Sequence, residues 1–109
     1  MQDRTILVVE DNPDHLELTL LTLEAHRVAN RIVVARDGVQ ALEYLFGTGA
    51  YEGRDTSVQP EFILLDLKLP KVSGHEVLQR VRADPRTALV PVVILTSSSE
   101  EEDFVDSYK

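Results

Sequence analysis

The feature that most constrains the fold is a short apolar run that ends in a carboxylate. Residues 62–65, with the sequence FILL, contain no polar side chain, and Asp66 follows them directly. An edge strand would alternate polar and apolar residues, so this run favours a parallel strand that is buried on both faces. In open α/β sheets, ligands bind beyond the carboxyl ends of the strands, and Asp66 would be presented to such a ligand. Asp also favours turns because of its local hydrogen bonds, so a role in capping the turn stays equally open at this point.

Apolar runs alternate with helix signals along the chain. Strands are predicted at residues 4–10, 31–35, 62–66 and 90–96. Turns into helices are indicated by the pairs Asn12 with Pro13, Asp37 with Gly38, Ser73 with Glu76, and either Ser98 with Glu101 or Ser99 with Glu102. Strands that alternate with helices in this way are typical of an α/β fold with a doubly wound parallel sheet.

The segment between the second helix and the third strand, residues 47–60, is polar and contains three glycines. It has neither helical nor strand periodicity, so we predict a mobile connector without regular structure. A connection from a helix to the next strand lies at the amino edge of such a sheet, away from the acids.

The composition excludes several classes of function. A net charge of −8 argues against nucleic-acid binding, since that binding needs clustered Lys and Arg to replace counterions. The absence of cysteine excludes disulfides, thiol nucleophiles and cysteine-based zinc sites. No apolar run approaches the roughly 20 residues of a membrane span, and the amino terminus lacks signal-peptide features. We therefore expect a soluble, cytoplasmic protein that contacts neither nucleic acid nor membrane.

Two histidines, His15 and His26, fall within the first predicted helix. Neither has a second His or a Cys at the spacing of a metal site. We therefore interpret both as solvated side chains rather than as ligands or catalytic groups.

Acidic side chains also follow the first predicted strand, where Glu10 and Asp11 come directly after an apolar run. In this fold class the first and third strands lie side by side, so these acids should meet Asp66 in one cleft, with Thr96 at its border. Like charges about 4 Å apart repel by about 4 kcal/mol at an effective dielectric constant of about 20. A divalent cation or raised pKa values would relieve that repulsion. Oxygen ligands at a partly open site point to Mg²⁺, and a metal-bound aspartate can attack phosphorus.

Several motifs together resemble the receiver domain of two-component response regulators. They are Glu10 with Asp11, DGVQALEYL at 37–45, DLKLPKVSG at 66–74, and Thr96 after PVVIL. The resemblance covers the whole chain and implies the flavodoxin-like receiver fold with strand order 2-1-3-4. VEDNPDH at 9–15 and LTSSSEEED at 95–103 further resemble small stand-alone receivers that partner phytochrome-type sensor histidine kinases.

The resemblance implies a role for each matching residue. Asp66 would be the phosphoacceptor, and Thr96 would hydrogen-bond the phosphoryl group and move on activation. Asp11, Asp66 and the backbone carbonyl of Lys68 would bind Mg²⁺ directly, whereas Glu10 would act through a metal-bound water. The Lys68 side chain lies where family members tune dephosphorylation, although a solvated side chain is equally open. The implied function is a signalling module that is phosphorylated by a sensor histidine kinase, switches its protein contacts, and catalyses only its own phosphorylation and dephosphorylation.

The chain departs from the family pattern after its fourth predicted helix. A receiver normally continues through a fifth strand, whose lysine pairs with the phosphoryl group, and a fifth helix. Lys109 falls within the sequence of the predicted fourth helix and is not that lysine. We therefore expect residues 1–109 to form a C-terminally incomplete receiver domain whose fourth strand is an exposed edge. Homodimerisation or strand exchange through this side is a further expectation.

Two other classes of protein stay open at this stage. A phosphatase of the haloacid dehalogenase type also uses a strand-ending aspartate, but it needs a second acid two residues later, where this chain has Lys68. A pseudo-receiver that binds proteins independently of phosphorylation would fit the missing lysine. The complete acid set argues against that alternative.

Overall fold

The computed structural model describes residues 4–69 and 71–95. In chain order its elements are β1 (Thr5–Val9), α1 (Pro13–Ala25), β2 (Arg31–Ala35), α2 (Gly38–Phe46), a short 3-10 helix (Gly49–Tyr51), β3 (Phe62–Asp66), α3 (Gly74–Ala83) and β4 (Val92–Leu95). The four strands form one parallel sheet in the spatial order β2-β1-β3-β4. The predicted parallel α/β fold and its strand order are therefore confirmed.

The helices begin where their capping residues predict. The side chains of Asn12, Asp37 and Ser73 each accept hydrogen bonds from backbone N–H groups in the first turns of α1, α2 and α3. Such bonds satisfy N–H groups that have no partner inside the helix, and each stabilises the fold by about 1 kcal/mol. At the other end, α2 closes on Gly47 in the left-handed conformation, with φ of 66°.

Burial falls from the centre of the sheet to its edges. Every residue of β1 is buried, and β3 is buried from Ile63 to Asp66. The strands β2 and β4 are only partly buried, and Val93 in β4 is 47% exposed. The uninterrupted apolar runs of β1 and β3 therefore belong to central strands covered on both faces, as predicted.

The core is divided unequally between the two faces of the sheet. On the α2/α3 face, the larger cluster joins the sheet to both helices, and its fully buried members are Leu7, Val9, Ala41, Leu45, Ile63, Leu65, Val77 and Val81. On the α1 face, the cluster contains three buried residues, Ile6, Val8 and Leu64. No residue of α1 itself is buried. Most of the buried apolar residues that the structure describes therefore belong to the cluster on the α2/α3 face.

The segment 47–60 is more regular than predicted. It contains the 3-10 helix, and the Arg54 guanidinium donates hydrogen bonds to the backbone carbonyls of Tyr44, Leu45 and Val58. The same guanidinium lies 4.2 Å from the centroid of the Tyr44 ring. The prediction of a connector without regular structure was wrong, because Arg54 fastens the segment to the end of α2.

The fourth strand starts later than predicted. It begins at Val92, because the Val90 N–H bonds to the Thr87 carbonyl in a preceding turn and Pro91 has no N–H to donate. The predicted strand end at Thr96 and the predicted fourth helix with Lys109 lie outside the described residues. Within residues 4–69 and 71–95, none of the helices has the length and apolar character needed to cross a membrane.

Candidate functional site

Three carboxylates meet at the carboxyl edge of the sheet. The central strands β1 and β3 are adjacent, with Val9 opposite Leu65, so the residues that end them reach the same edge. One carboxylate oxygen from each of Glu10, Asp11 and Asp66 lies within 4.8 Å of the others. The structure therefore brings together the three acids that the strand order predicted to meet.

The start of α1 positions Glu10, which is buried. The Asn12 backbone N–H donates a hydrogen bond to Glu10 Oε2 at 3.1 Å. Because Asn12 is also the capping residue of α1, the helix start and the acid site belong to one short segment of chain.

His15 lies at the rim of this site, which the sequence interpretation missed. Its Nδ1 atom is 4.0 Å from Glu10 Oε2, although its side chain is 48% exposed. The exposed side chain agrees with the interpretation of His15 as a solvated residue. Its proximity to Glu10 was not predicted, and it follows from the position of His15 in the first turn of a helix that starts directly after two acids.

Asp66 ends β3 and is only 5% exposed. The pKa of Asp66 is raised to about 6, first by burial and then by the hydrogen bond and charge of Glu10 and the charge of Asp11, against a backbone hydrogen bond from Lys68 that lowers it. That Lys68 N–H donates to Asp66 Oδ1 at 3.0 Å, so the turn-capping role left open by the sequence is also present. The same carboxyl group therefore caps its turn and faces the other acids.

The donor set fits a divalent metal ion. The raised pKa of Asp66 means that its ionised form is disfavoured beside two other carboxylates, and a cation would reverse that preference. Carboxylate oxygens are ligands that hard divalent cations such as Mg²⁺, Mn²⁺ and Ca²⁺ accept. Three of them gathered at an open edge of the sheet suggest a divalent metal site.

The third helix begins directly against the end of β3. The Gly74 N–H donates a hydrogen bond to the Leu67 carbonyl at 3.1 Å. A Cβ atom at Gly74 would collide with the Asp66 carbonyl oxygen and with the Leu67 Cα atom. This close approach requires glycine, and it puts the start of α3 in direct contact with the backbone of Asp66.

An ion pair connects two turns at the same edge of the sheet. Lys71 Nζ lies 3.4 Å from Asp37 Oδ2, and Lys71 adopts a left-handed backbone with φ of 67°. A hydrogen bond from the Gln40 N–H lowers the pKa of Asp37, and Lys71 lowers it further against the opposing effect of burial. Sequence periodicity gave no sign of this pair, because its members are far apart in the chain and on different turns.

The remaining predicted site residues are only partly located. Lys68 is exposed, and its N–H contacts Asp66, whereas its carbonyl as a metal ligand stays a prediction. Thr96 and Lys109 lie outside the described residues.

Comparison with known proteins gives a consistent result. The family model for the response regulator receiver domain matches residues 6–109. Response regulator Rcp1 of Synechocystis sp. is 38% identical over 106 residues, which are 97% of this chain and 70% of that protein.

Solved structures of similar proteins agree with the fold. The bacteriophytochrome response regulator AtBRR is 55% identical, with a TM-score of 0.84 over 99% of this chain and 76% of that one. The phosphorylated cyanobacterial phytochrome response regulator RcpA is 39% identical, with a TM-score of 0.81 over 97% of this chain and 74% of that one. The Mn²⁺-bound form of response regulator Rcp1 is 37% identical, with a TM-score of 0.81 over 96% of this chain and 73% of that one.

Proposed function

Because the chain belongs to the family of response regulator receiver domains, we propose that it is a phosphorylation-dependent signalling module in which Asp66 accepts a phosphoryl group from a sensor histidine kinase. The observation that carries this proposal is the meeting of buried Asp66 with Glu10 and Asp11 at the carboxyl edge of the sheet. A carboxylate that served only as a turn cap would be more stable without two acidic neighbours.

The proposed transfer uses Asp66 as a nucleophile. One Oδ atom forms a bond to phosphorus while the phosphorus–nitrogen bond of a phosphohistidine breaks. The electron pair of the broken bond stays on the imidazole nitrogen, which takes up a proton. Asp66 attacks in its ionised form, and a carboxyl group with a pKa of about 6 is mostly ionised at neutral pH. Attack of water on the acyl phosphate returns Asp66 and inorganic phosphate, so the chain modifies only itself.

We assign Mg²⁺ to this site, held by Asp11, Asp66 and the Lys68 carbonyl, with Glu10 acting through a water molecule. When bound, Mg²⁺ supplies positive charge that balances the carboxylates and the phosphoryl oxygens. The protein's own N–H groups orient the carboxylates, since Asn12 holds Glu10 Oε2 and Lys68 holds Asp66 Oδ1. The Mn²⁺-bound form of the similar protein Rcp1 supports a divalent ion.

The proposed partner is a sensor histidine kinase of the phytochrome type. Support comes from two similar proteins that are described as phytochrome response regulators, AtBRR and RcpA. Phosphorylated Asp66 would engage the Thr96 hydroxyl and change the protein contacts of the domain. The cytoplasmic location and the homodimerisation expected from the sequence stay predictions.

Phosphoryl uptake tests the acceptor assignment directly. The chain would be incubated with Mg²⁺ and a phosphorylated histidine kinase, and the mass of the intact protein would be measured. Wild type and the control variant Asp55→Asn, which changes an exposed acid outside the site, should each gain one phosphoryl group. Asp66→Asn should gain none. Equal uptake by Asp66→Asn would reject Asp66 as the acceptor.

The alternative function is a pseudo-receiver that binds proteins without phosphorylation. Its distinguishing property would be the lack of a metal site despite the acid cluster. A ligand at about 100 times its Kd stabilises a fold by about 2.7 kcal/mol, so Mg²⁺ should raise the melting temperature of wild type but not of Asp11→Asn. No shift in wild type at millimolar Mg²⁺ would favour the pseudo-receiver.

A further inference from the structure

The end of β2 holds the backbone of both acids that follow β1. The Arg36 guanidinium donates a hydrogen bond to the backbone carbonyl of Asp11 at 3.1 Å. The preceding residue, Ala35, accepts a hydrogen bond at its carbonyl from the Glu10 N–H at 3.0 Å. The loop between β1 and α1 is therefore fastened to two consecutive residues at the end of β2.

The start of α2 fixes the backbone of Arg36. The Arg36 N–H donates a hydrogen bond to Gln40 Oε1 at 2.8 Å, and the Gln40 N–H donates to Asp37 Oδ1 at 2.8 Å. This exchange resembles a capping box, in which side chains at a helix start accept hydrogen bonds from each other's stretch of backbone. The guanidinium of Arg36 therefore extends from a backbone whose position is set by the start of α2.

The turn between β2 and α2, residues 36–38, also contacts the loop that follows β3. Lys71 Nζ lies 3.4 Å from Asp37 Oδ2, and a Cβ atom at Gly38 would collide with the Val72 carbonyl oxygen. Lys71 has a left-handed backbone, which a residue other than glycine keeps when its surroundings hold it there. The turn therefore touches both loops that carry the proposed Mg²⁺ ligands, although none of those ligands comes from the turn itself.

We infer that Arg36 is a positioning residue for the proposed Mg²⁺ site and acts through the backbone of Asp11. Its hydrogen bond goes to the Asp11 carbonyl, which leaves the carboxylate of Asp11 available to the metal. Mg²⁺ demands near-ideal octahedral geometry, so a ligand that is less well placed lowers its affinity. The inference rests on the proposed function, because it concerns the same site.

The positive charge of Arg36 makes this role separable from a simple electrostatic effect. A guanidinium near a cation site repels the cation, so removing the charge alone would strengthen Mg²⁺ binding. Removing a hydrogen bond that positions a metal ligand would instead weaken Mg²⁺ binding. The two roles therefore predict opposite changes in affinity for the same substitution.

Isothermal titration calorimetry with Mg²⁺ on the whole chain tests the inference. It would be applied to wild type, Arg36→Gln and Arg80→Gln. Arg80→Gln is the matched control, because it removes the same charge from an exposed residue in the last turn of α3, whereas the first turn of α3 is the one that meets Asp66. Melting temperatures without metal would verify that both variants fold like wild type.

We expect Arg36→Gln to bind Mg²⁺ about fivefold more weakly than wild type, a smaller loss than on removal of a group that bonds a metal ligand atom directly. Arg80→Gln should bind Mg²⁺ like wild type. In phosphoryl uptake from a phosphorylated histidine kinase, the Mg²⁺ concentration that gives half the maximal rate should rise by about the same factor in Arg36→Gln. The maximal rate at saturating Mg²⁺ should stay within about twofold of wild type.

Unchanged or tighter Mg²⁺ binding by Arg36→Gln would overturn the inference, since tighter binding would mean that only the charge of Arg36 acts on the site. A lower maximal rate with an unchanged dependence on Mg²⁺ would also overturn it, because Arg36 would then act on the phosphoryl donor. An equal loss in Arg80→Gln would do the same, since the loss would not depend on the contact with Asp11. Failure of the proposed function has a different signature, because wild type itself would then bind no Mg²⁺ and gain no phosphoryl group.

Discussion

The two faces of the sheet use the same strands but are covered very differently. Leu64 and Leu65 are consecutive in β3 and therefore point to opposite faces. Leu65 joins the larger cluster against α2 and α3, whereas Leu64 joins the three-residue cluster beneath α1. Among the described residues, the α2/α3 face supplies most of the core, while α1 is held by its cap and by partly buried contacts. Of the helices α1, α2 and α3, α1 therefore has the least burial.

The largest expected effect is the loss of packing on the α2/α3 face. Leu65→Ala should lower the free energy of unfolding by about 4 kcal/mol, because Leu65 is fully buried within the larger cluster and its truncation would leave a cavity there. Urea denaturation at constant pH measures this change. A loss below about 1 kcal/mol would show that this face is not the main support of the fold.

The second largest effect on stability is expected from the buried carboxylate of Asp66 at the carboxyl edge of the sheet. In the folded state Asp66 has a pKa of about 6, above its ordinary value of 3.8, so its ionised form is disfavoured by folding. As pH rises from about 4 to about 6, stability should fall by up to roughly 3 kcal/mol and then stay level. Asp66→Asn should remove this pH dependence and be more stable than wild type at pH 7.

Thermal denaturation in the presence of a metal chelator would measure the effect of Asp66→Asn across pH 4 to 8. Adding Mg²⁺ should reduce the difference in melting temperature between Asp66→Asn and wild type at pH 7, because Mg²⁺ should stabilise wild type alone. A variant that is less stable than wild type at pH 7 without metal would contradict the burial of an ionised Asp66.

A smaller effect is expected on the α1 face at the neighbouring position. Leu64→Ala should cost about 2 kcal/mol, because Leu64 is 8% exposed and the thinner cluster around it can relax into the cavity. Measured beside Leu65→Ala under identical conditions, this variant compares the two faces within one strand. Equal costs would mean that both faces are packed alike in solution.

The smallest effect is expected on the outer surface of α1. Leu18 is 63% exposed, so Leu18→Ala should change the free energy of unfolding by less than about 0.5 kcal/mol. Chemical denaturation with replicate measurements is precise enough to detect a larger change. If Leu18→Ala lowered the free energy of unfolding by about as much as Leu64→Ala, the outer surface of α1 would be covered in solution. The contrast between the two faces of the sheet would then not hold.

The elements and their order could be predicted because their signals are local. Uninterrupted apolar runs identified β1 and β3 as central strands, and side-chain caps located the starts of three helices. The conformation of residues 47–60 could not be predicted in this way. It depends on Arg54 reaching the carbonyls of Tyr44 and Leu45, and a tertiary hydrogen bond leaves no periodic trace in the sequence.

The acid cluster could also be anticipated, because parallel strands deliver their last residues to one edge. Glu10, Asp11 and Asp66 meet for that reason. The neighbouring His15 and the Lys71–Asp37 pair were missed, since their positions depend on side-chain reach across turns. Sequence periodicity predicts which residues lie at the same edge of the sheet, but it does not predict which of their side chains contact one another.

Gly74 packs directly against the backbone of Asp66, so no side chain separates the acidic edge of the sheet from α3. A displacement of the strand end has to be taken up by the helix, since no side chain stands between them to absorb it. The strand end that carries Asp66 therefore lies in direct backbone contact with the start of α3. The acids could be substituted during evolution, but a side chain could not be added at Gly74 without moving α3.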